Sequence, residues 1–85
     1  MYQILVVDDE RIERNGIKML LRHMQLPCEI AEAANGRDAL EYLKDHTADI
    51  LLTDVKMPFM DGIQLIEECK KDDRNEDVKC VIFSG

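Results

Sequence analysis

Two short runs of unbroken apolar sequence, each stopped by aspartate, constrain this chain more than any other feature. Ile4-Leu5-Val6-Val7 runs into Asp8-Asp9, and Ile50-Leu51-Leu52-Thr53 runs into Asp54. A strand with one wet face alternates apolar and polar residues. A continuous branched run reads instead as a strand buried on both faces, which calls for a parallel sheet covered by helices.

The intervening segments supply those helices. From Arg11 to about Met24, the residues Ile12, Ile17, Leu20, Leu21 and Met24, with Gly16, recur at helical spacing and predict one inward face. Leu26-Pro27 ends that helix. Glu29 to Ala33 alternates and predicts a second strand. Asn35 is placed to cap a helix carrying Ala39, Leu40 and Leu43. Asp61-Gly62-Ile63-Gln64 has the form of a capping box and opens a helix expected to turn Ile63, Ile66 and Cys69 inward. Lys70 to Asp77 reads as a charged turn, and Val78 to Phe83 as a fourth strand ending in Ser84-Gly85. The order βαβαβαβ, with connections of this length, predicts an α/β fold with right-handed crossovers. Eighty-five residues make one domain at most. The last predicted strand has no following helix to cover it, so residues 1–85 are expected to form a partial domain.

Charge and cysteine usage narrow the function. A net charge of −7 argues against a surface that grips nucleic acid, because phosphate backbones call for Lys and Arg. Cys28, Cys69 and Cys80 are odd in number and widely spaced, which suits reduced packing thiols better than a disulfide framework or a zinc site. The opening apolar run is too short for a signal segment or a membrane span. A soluble, cytoplasmic protein with no membrane contact is expected.

In open α/β sheets, ligands bind beyond the carboxyl ends of the strands. There the chain places Asp8 and Asp9 after the first strand, Asp54 after the third and Ser84 after the fourth. Each has an ordinary reading alone: a helix-capping acid, a turn residue, a strand-end hydroxyl. Asp61 keeps that reading, as a cap. A double acid after one buried strand and a single acid after another form a rarer pattern. Three carboxylates that converge repel one another, and a hard divalent cation removes the conflict. Mg²⁺ binds through a small number of carboxylates, waters and a phosphoryl ligand. Asp54 could then act as a nucleophile and form an aspartyl phosphate.

Ile4-Leu5-Val6-Val7-Asp8-Asp9-Glu10 resembles the opening of response-regulator receiver domains of two-component systems. Asp54-Val55-Lys56-Met57-Pro58-Phe59-Met60-Asp61-Gly62 is similar to the same family's phosphorylation-site loop. Asn35-Gly36 with Ala39-Leu40, and Val81-Ile82-Phe83-Ser84-Gly85, fit its second helix and fourth strand. The resemblance implies a flavodoxin-like sheet of strand order 2-1-3-4, without the family's fifth strand and last helices. It implies that Asp54 is phosphorylated by a histidine kinase. It implies Mg²⁺ held by Asp8, Asp9, Asp54 and the backbone carbonyl of Lys56, with Asp9 a direct ligand and Asp8 acting through water. Ser84 would be the switch hydroxyl. Such a domain helps its own phosphorylation and dephosphorylation but is not a turnover enzyme. Asp8-Asp9-Glu10-Arg11 with Arg14 and Gly16 also resembles receivers attached to AraC-type DNA-binding regions. DNA would be contacted only through such an output region.

One departure stands out. The family sets a lysine at the end of its fifth strand, and Lys70, Lys71 and Lys79 do not match that place. Phosphorylation of these residues alone is therefore expected to be weak, and an uncovered fourth strand is expected to promote self-association. A receiver-like interaction module that carries no phosphate is the alternative. A haloacid-dehalogenase-type phosphatase would set its nucleophile in an Asp-x-Asp pattern after the first strand, where this chain reads Asp8-Asp9-Glu10.

Overall fold

A computed structural model describes residues 1–83; the Ser84 expectation lies outside the described residues. The elements run β1 (Tyr2–Val7), α1 (Arg11–His23), β2 (Cys28–Ala33), α2 (Gly36–Asp45), β3 (Ile50–Asp54), α3 (Gly62–Lys70), a 3-10 turn (Asp73–Asn75) and β4 (Lys79–Phe83). All four strands are parallel, in the order β2-β1-β3-β4. This is the expected flavodoxin-like order. No helix among the described residues is long and apolar enough to cross a membrane.

The two apolar runs form the central strands, in register Ile4 with Ile50 through Val7 with Thr53. Side-chain alternation splits each run between two faces. Leu5, Val7 and Leu51 join Ala33, Ala39, Leu43, Leu65, Cys69 and Val78 in one buried cluster beneath α2 and α3. Ile4 and Val6, of the other parity, are also buried, and α1 packs on β1. Burying each such Leu, Ile or Val contributes about 1.5–3 kcal/mol.

The caps fall where the sequence puts them. The Asn35 side chain accepts from the Asp38 amide at 2.8 Å. Asp61 accepts from the Gln64 amide at 2.8 Å, and Gln64 returns the bond from the Asp61 amide at 3.0 Å. A cap of this kind contributes about 1 kcal/mol.

Two helix faces differ from expectation. In α1, Ile17 and Leu21 are half-buried, but Ile12, Gly16, Leu20 and Met24 are exposed. Salt bridges set the rotation. Arg14 and Lys18 both reach Glu32 on β2, at 3.1 and 2.8 Å, and Arg14 also donates to the Asp8 carbonyl at 2.6 Å. The hydrogen bond from Lys18, seconded by Arg14, holds the Glu32 carboxyl below its ordinary range. In α3, Ile63 is exposed and Leu65 is buried with Cys69. Gly62 is buried at the helix start, so the inward stripe runs through 62, 65 and 69. Ile63 lies about 100° around the helix from Gly62.

The lysines have other work. Lys70 donates to the carbonyls of Asn75, Glu76 and Val78. Lys79 opens β4 opposite Ile50, at the far end of the sheet from Asp54.

Candidate metal centre

The carboxyl ends of β1 and β3 lie side by side because their strands are neighbours in register. Asp8 follows Val7, and Asp54 closes β3 opposite Phe83 of β4. Both carboxylates are withdrawn from solvent, Asp8 at 0% exposure and Asp54 at 8%. A third arrives from the first turn of α1. Carboxylate oxygens of Asp8, Glu13 and Asp54 all lie within 4.8 Å of one another.

Strand parity explains why Asp8 enters this group. Along β1, Ile4, Val6 and Asp8 share one side and alternate with Leu5, Val7 and Asp9. Leu52 and Asp54 have the matching parity on β3, since Val6 pairs with Leu52. Asp9 is exposed and lies outside the three-carboxylate group. Lys56 is exposed in the loop after β3.

The hydrogen bonding of Asp8 is lopsided. Its Oδ1 accepts from the Glu10 amide at 2.9 Å. Its Oδ2 is buried with no partner. A buried orphan acceptor costs about 1–3 kcal/mol unless something occupies its lone pairs. A hydrogen bond to Asp8 pushes the Glu13 carboxyl up to about 7, with help from desolvation and the negative charges of Asp8, Glu10 and Asp54. An orphan buried oxygen amid oxygen-only donors fits a hard divalent cation such as Mg²⁺.

The loop between β3 and α3 frames the pocket's rim. The Val55 amide donates to Phe83 at 3.2 Å, and the Gly62 amide donates to Val55 at 2.9 Å. Thr53 Oγ1 donates to the Asp54 carbonyl at 3.0 Å. Phe59 adopts a left-handed φ of 70°, the turn that lets the Met60 amide reach the Pro58 carbonyl at 2.8 Å.

Sequence reasoning missed Glu13. Its place in the group depends on the rotation of α1, which the contacts to Glu32 decide. Position alone marks it only as an acid in a first helical turn, where the helix dipole favours one anyway.

A parallel sheet with helices on both faces and a carboxylate pocket at its carboxyl edge defines a class of acid-pocket α/β domains. Within that class the comparisons are specific. Residues 4–85 match the family model described as the response regulator receiver domain, and the chain belongs to that family. It is 38% identical over 86 residues to the uncharacterized transcriptional regulatory protein YesN of Bacillus subtilis, covering 100% of this chain and 23% of that protein. A two component transcriptional regulator AraC from Clostridium phytofermentans superposes with TM-score 0.88 at 35% identity, covering 100% of this chain and 65% of that one. The response regulator TrrA from Thermotoga maritima, solved in complex with Mg(2+)-BeF, superposes with TM-score 0.87 at 32% identity, covering 99% and 70%. The chain spans 23%, 28% and 59% of the length of the first three curated relatives it matches.

Proposed function

We propose that this receiver domain accepts a phosphoryl group on Asp54 from a histidine kinase in a Mg²⁺-dependent reaction. The observation that carries this reading is the withdrawn Asp54 carboxylate beside the orphan Oδ2 of Asp8. Asp8, Asp9, Asp54 and the Lys56 carbonyl are the proposed cation ligands, with Asp9 one residue further along the turn. When bound, the cation offsets the charge that develops on the phosphoryl oxygens. Asp54 supplies the attacking oxygen, which bonds to phosphorus. The P–N bond of the kinase's phosphohistidine breaks, and the imidazole leaves with the electron pair and takes up a proton. Ser84 is the proposed switch hydroxyl. The likeness to transcriptional regulators supports an output through a DNA-binding region, in a protein of the cytoplasm.

The test is phosphorylation by a small phosphodonor, followed by peptide mass analysis. The expected result for these 85 residues is a sub-stoichiometric gain of one phosphoryl group on the peptide holding Asp54, lost in Asp54→Asn and lost on chelation. A gain that survives either change overturns the reading, and no gain at all overturns it in favour of the interaction-module alternative.

β4 supports a second proposal. It stands at the sheet's edge among the described residues, with Val81 and Ile82 exposed at 45% and 40%. Unpaired strand edges with apolar flanks recruit other strands, so this surface is proposed to join copies of the chain. Sedimentation of the 85 residues is expected to show mass rising with concentration. A concentration-independent monomer sinks the proposal.

A further inference from the structure

Resting on the metal reading above, we propose that Glu13 supplies a third carboxylate to the divalent cation held at Asp8 and Asp54, tying α1 to the metal.

The case begins with what holds α1. Arg14 and Lys18 are both bound to Glu32 on β2, and Arg14 also reaches the Asp8 carbonyl. These contacts occupy one flank of the helix. They turn the opposite flank, with Glu13, Ile17 and Leu20, toward the side where Phe83 of β4 stands. Glu13 is thereby carried over the end of β1 and into reach of both aspartates. The tethers are two ion pairs and a side-chain-to-backbone hydrogen bond, so the fold sets the helix rotation that brings Glu13 within reach.

Short of taking up a proton to bond Asp8, Glu13 gains nothing there in the absence of a cation. No ion pair among the described residues involves it. Its neighbours are carboxylates, and like charges this close disfavour one another. A first-turn acid serves the helix dipole equally well when it points to solvent, as Glu10 does beside it. The orphan Asp8 Oδ2 at the same point is the independent sign of a missing positive partner. One cation would satisfy that oxygen and offset the repulsion among all three acids. More carboxylates at an oxygen site raise its affinity for divalent ions.

The experiment measures Mn²⁺ binding through the free-ion paramagnetic resonance signal, for the wild-type chain, Glu13→Gln, Glu10→Gln and Asp8→Asn. Amide exchange of the first turn of α1 is followed with and without Mn²⁺. Glu13→Gln is expected to weaken Mn²⁺ binding on the order of tenfold. It is also expected to abolish the metal-induced protection of α1. Glu10→Gln, which removes a nearby charge but no ligand, should do neither. Equal losses in Glu13→Gln and Glu10→Gln mean a diffuse field effect and overturn the inference. So does an unchanged affinity in Glu13→Gln while Asp8→Asn loses the ion, and that outcome leaves the Asp8–Asp54 site standing. A wild-type chain that binds no Mn²⁺ overturns both readings together.

Discussion

Gly62→Ala is expected to cost about 3 kcal/mol or more, a large share of the roughly 4–13 kcal/mol that a domain of this size possesses. A Cβ at position 62 would overlap the Asp54 carbonyl oxygen and lie 3.1 Å from its carbon and 3.2 Å from Thr53 Cγ2. The first two are backbone atoms at the end of a central strand, and they cannot swing aside as a side chain can. Either α3 retreats and gives up the 2.9 Å bond from the Gly62 amide to Val55, or the end of β3 shifts. Both movements disturb the strand end that presents Asp54. Urea denaturation checks the magnitude. Gly16→Ala is the control, because a Cβ there meets nothing within 4 Å, and in an exposed helix the change should stabilise by about 0.5–1 kcal/mol. A Gly62→Ala midpoint equal to wild type would mean that the packing of α3 on β3 is softer than these distances allow.

Gly62 shows how function and fold meet in this chain. The sequence marks it as the residue after a helix-capping Asp61 and as the end of the loop that resembles the family's phosphorylation-site loop. Its close approach to Asp54 follows from the chain path after β3, where seven residues must leave the strand, turn at Phe59 and return. The continuous apolar runs made the parallel sheet legible, since burial on both faces leaves no wet side to alternate. The caps at Asn35 and Asp61 were legible because capping is local chemistry between residues three apart. Helix rotation was not. Ile12, Leu20 and Met24 have the spacing of an inward face, but α1 answers to Glu32, a residue on another element. Ile63 was misplaced for a similar reason, because a contact of Gly62 with β3 fixes the rotation of α3. The site divides the same way. Asp8 and Asp54 were legible from the strand ends, and strand parity distinguishes Asp8 from Asp9. Glu13 was not, since it enters through that same unpredicted rotation of α1.

The second large effect is expected at Asp8, where stability and metal binding should move in opposite directions. Without a cation, Asp8 is a fully buried carboxylate with one orphan oxygen, facing two further acids. Asn has nearly the same shape. Its Oδ1 can keep the 2.9 Å bond from the Glu10 amide, and its Nδ2 would stand where the orphan oxygen was. Carboxylate oxygens of Asp54 and Glu13 lie within 4.8 Å of the Asp8 carboxylate, so the substitution replaces an unpaired acceptor by a donor among acceptors and removes one negative charge from the cluster. Asp8→Asn is expected to stabilise the metal-free domain by about 1–2 kcal/mol. It should also weaken Mg²⁺ binding by about 100-fold, since the amide offers no charge to the ion. Ligand linkage then reverses the ranking. Mg²⁺ at a hundred times its dissociation constant adds about 2.7 kcal/mol to a protein that binds it and little to one that does not. Thermal melts in chelator should therefore put the variant above wild type, and melts in saturating Mg²⁺ should close or invert that gap. A variant less stable than wild type in chelator would show that the orphan oxygen has a partner, and equal responses to Mg²⁺ would remove Asp8 from the cation site. The crossing of the two melting series separates a carboxylate kept for a ligand from one kept for the fold, because only the former is a burden until its ion arrives.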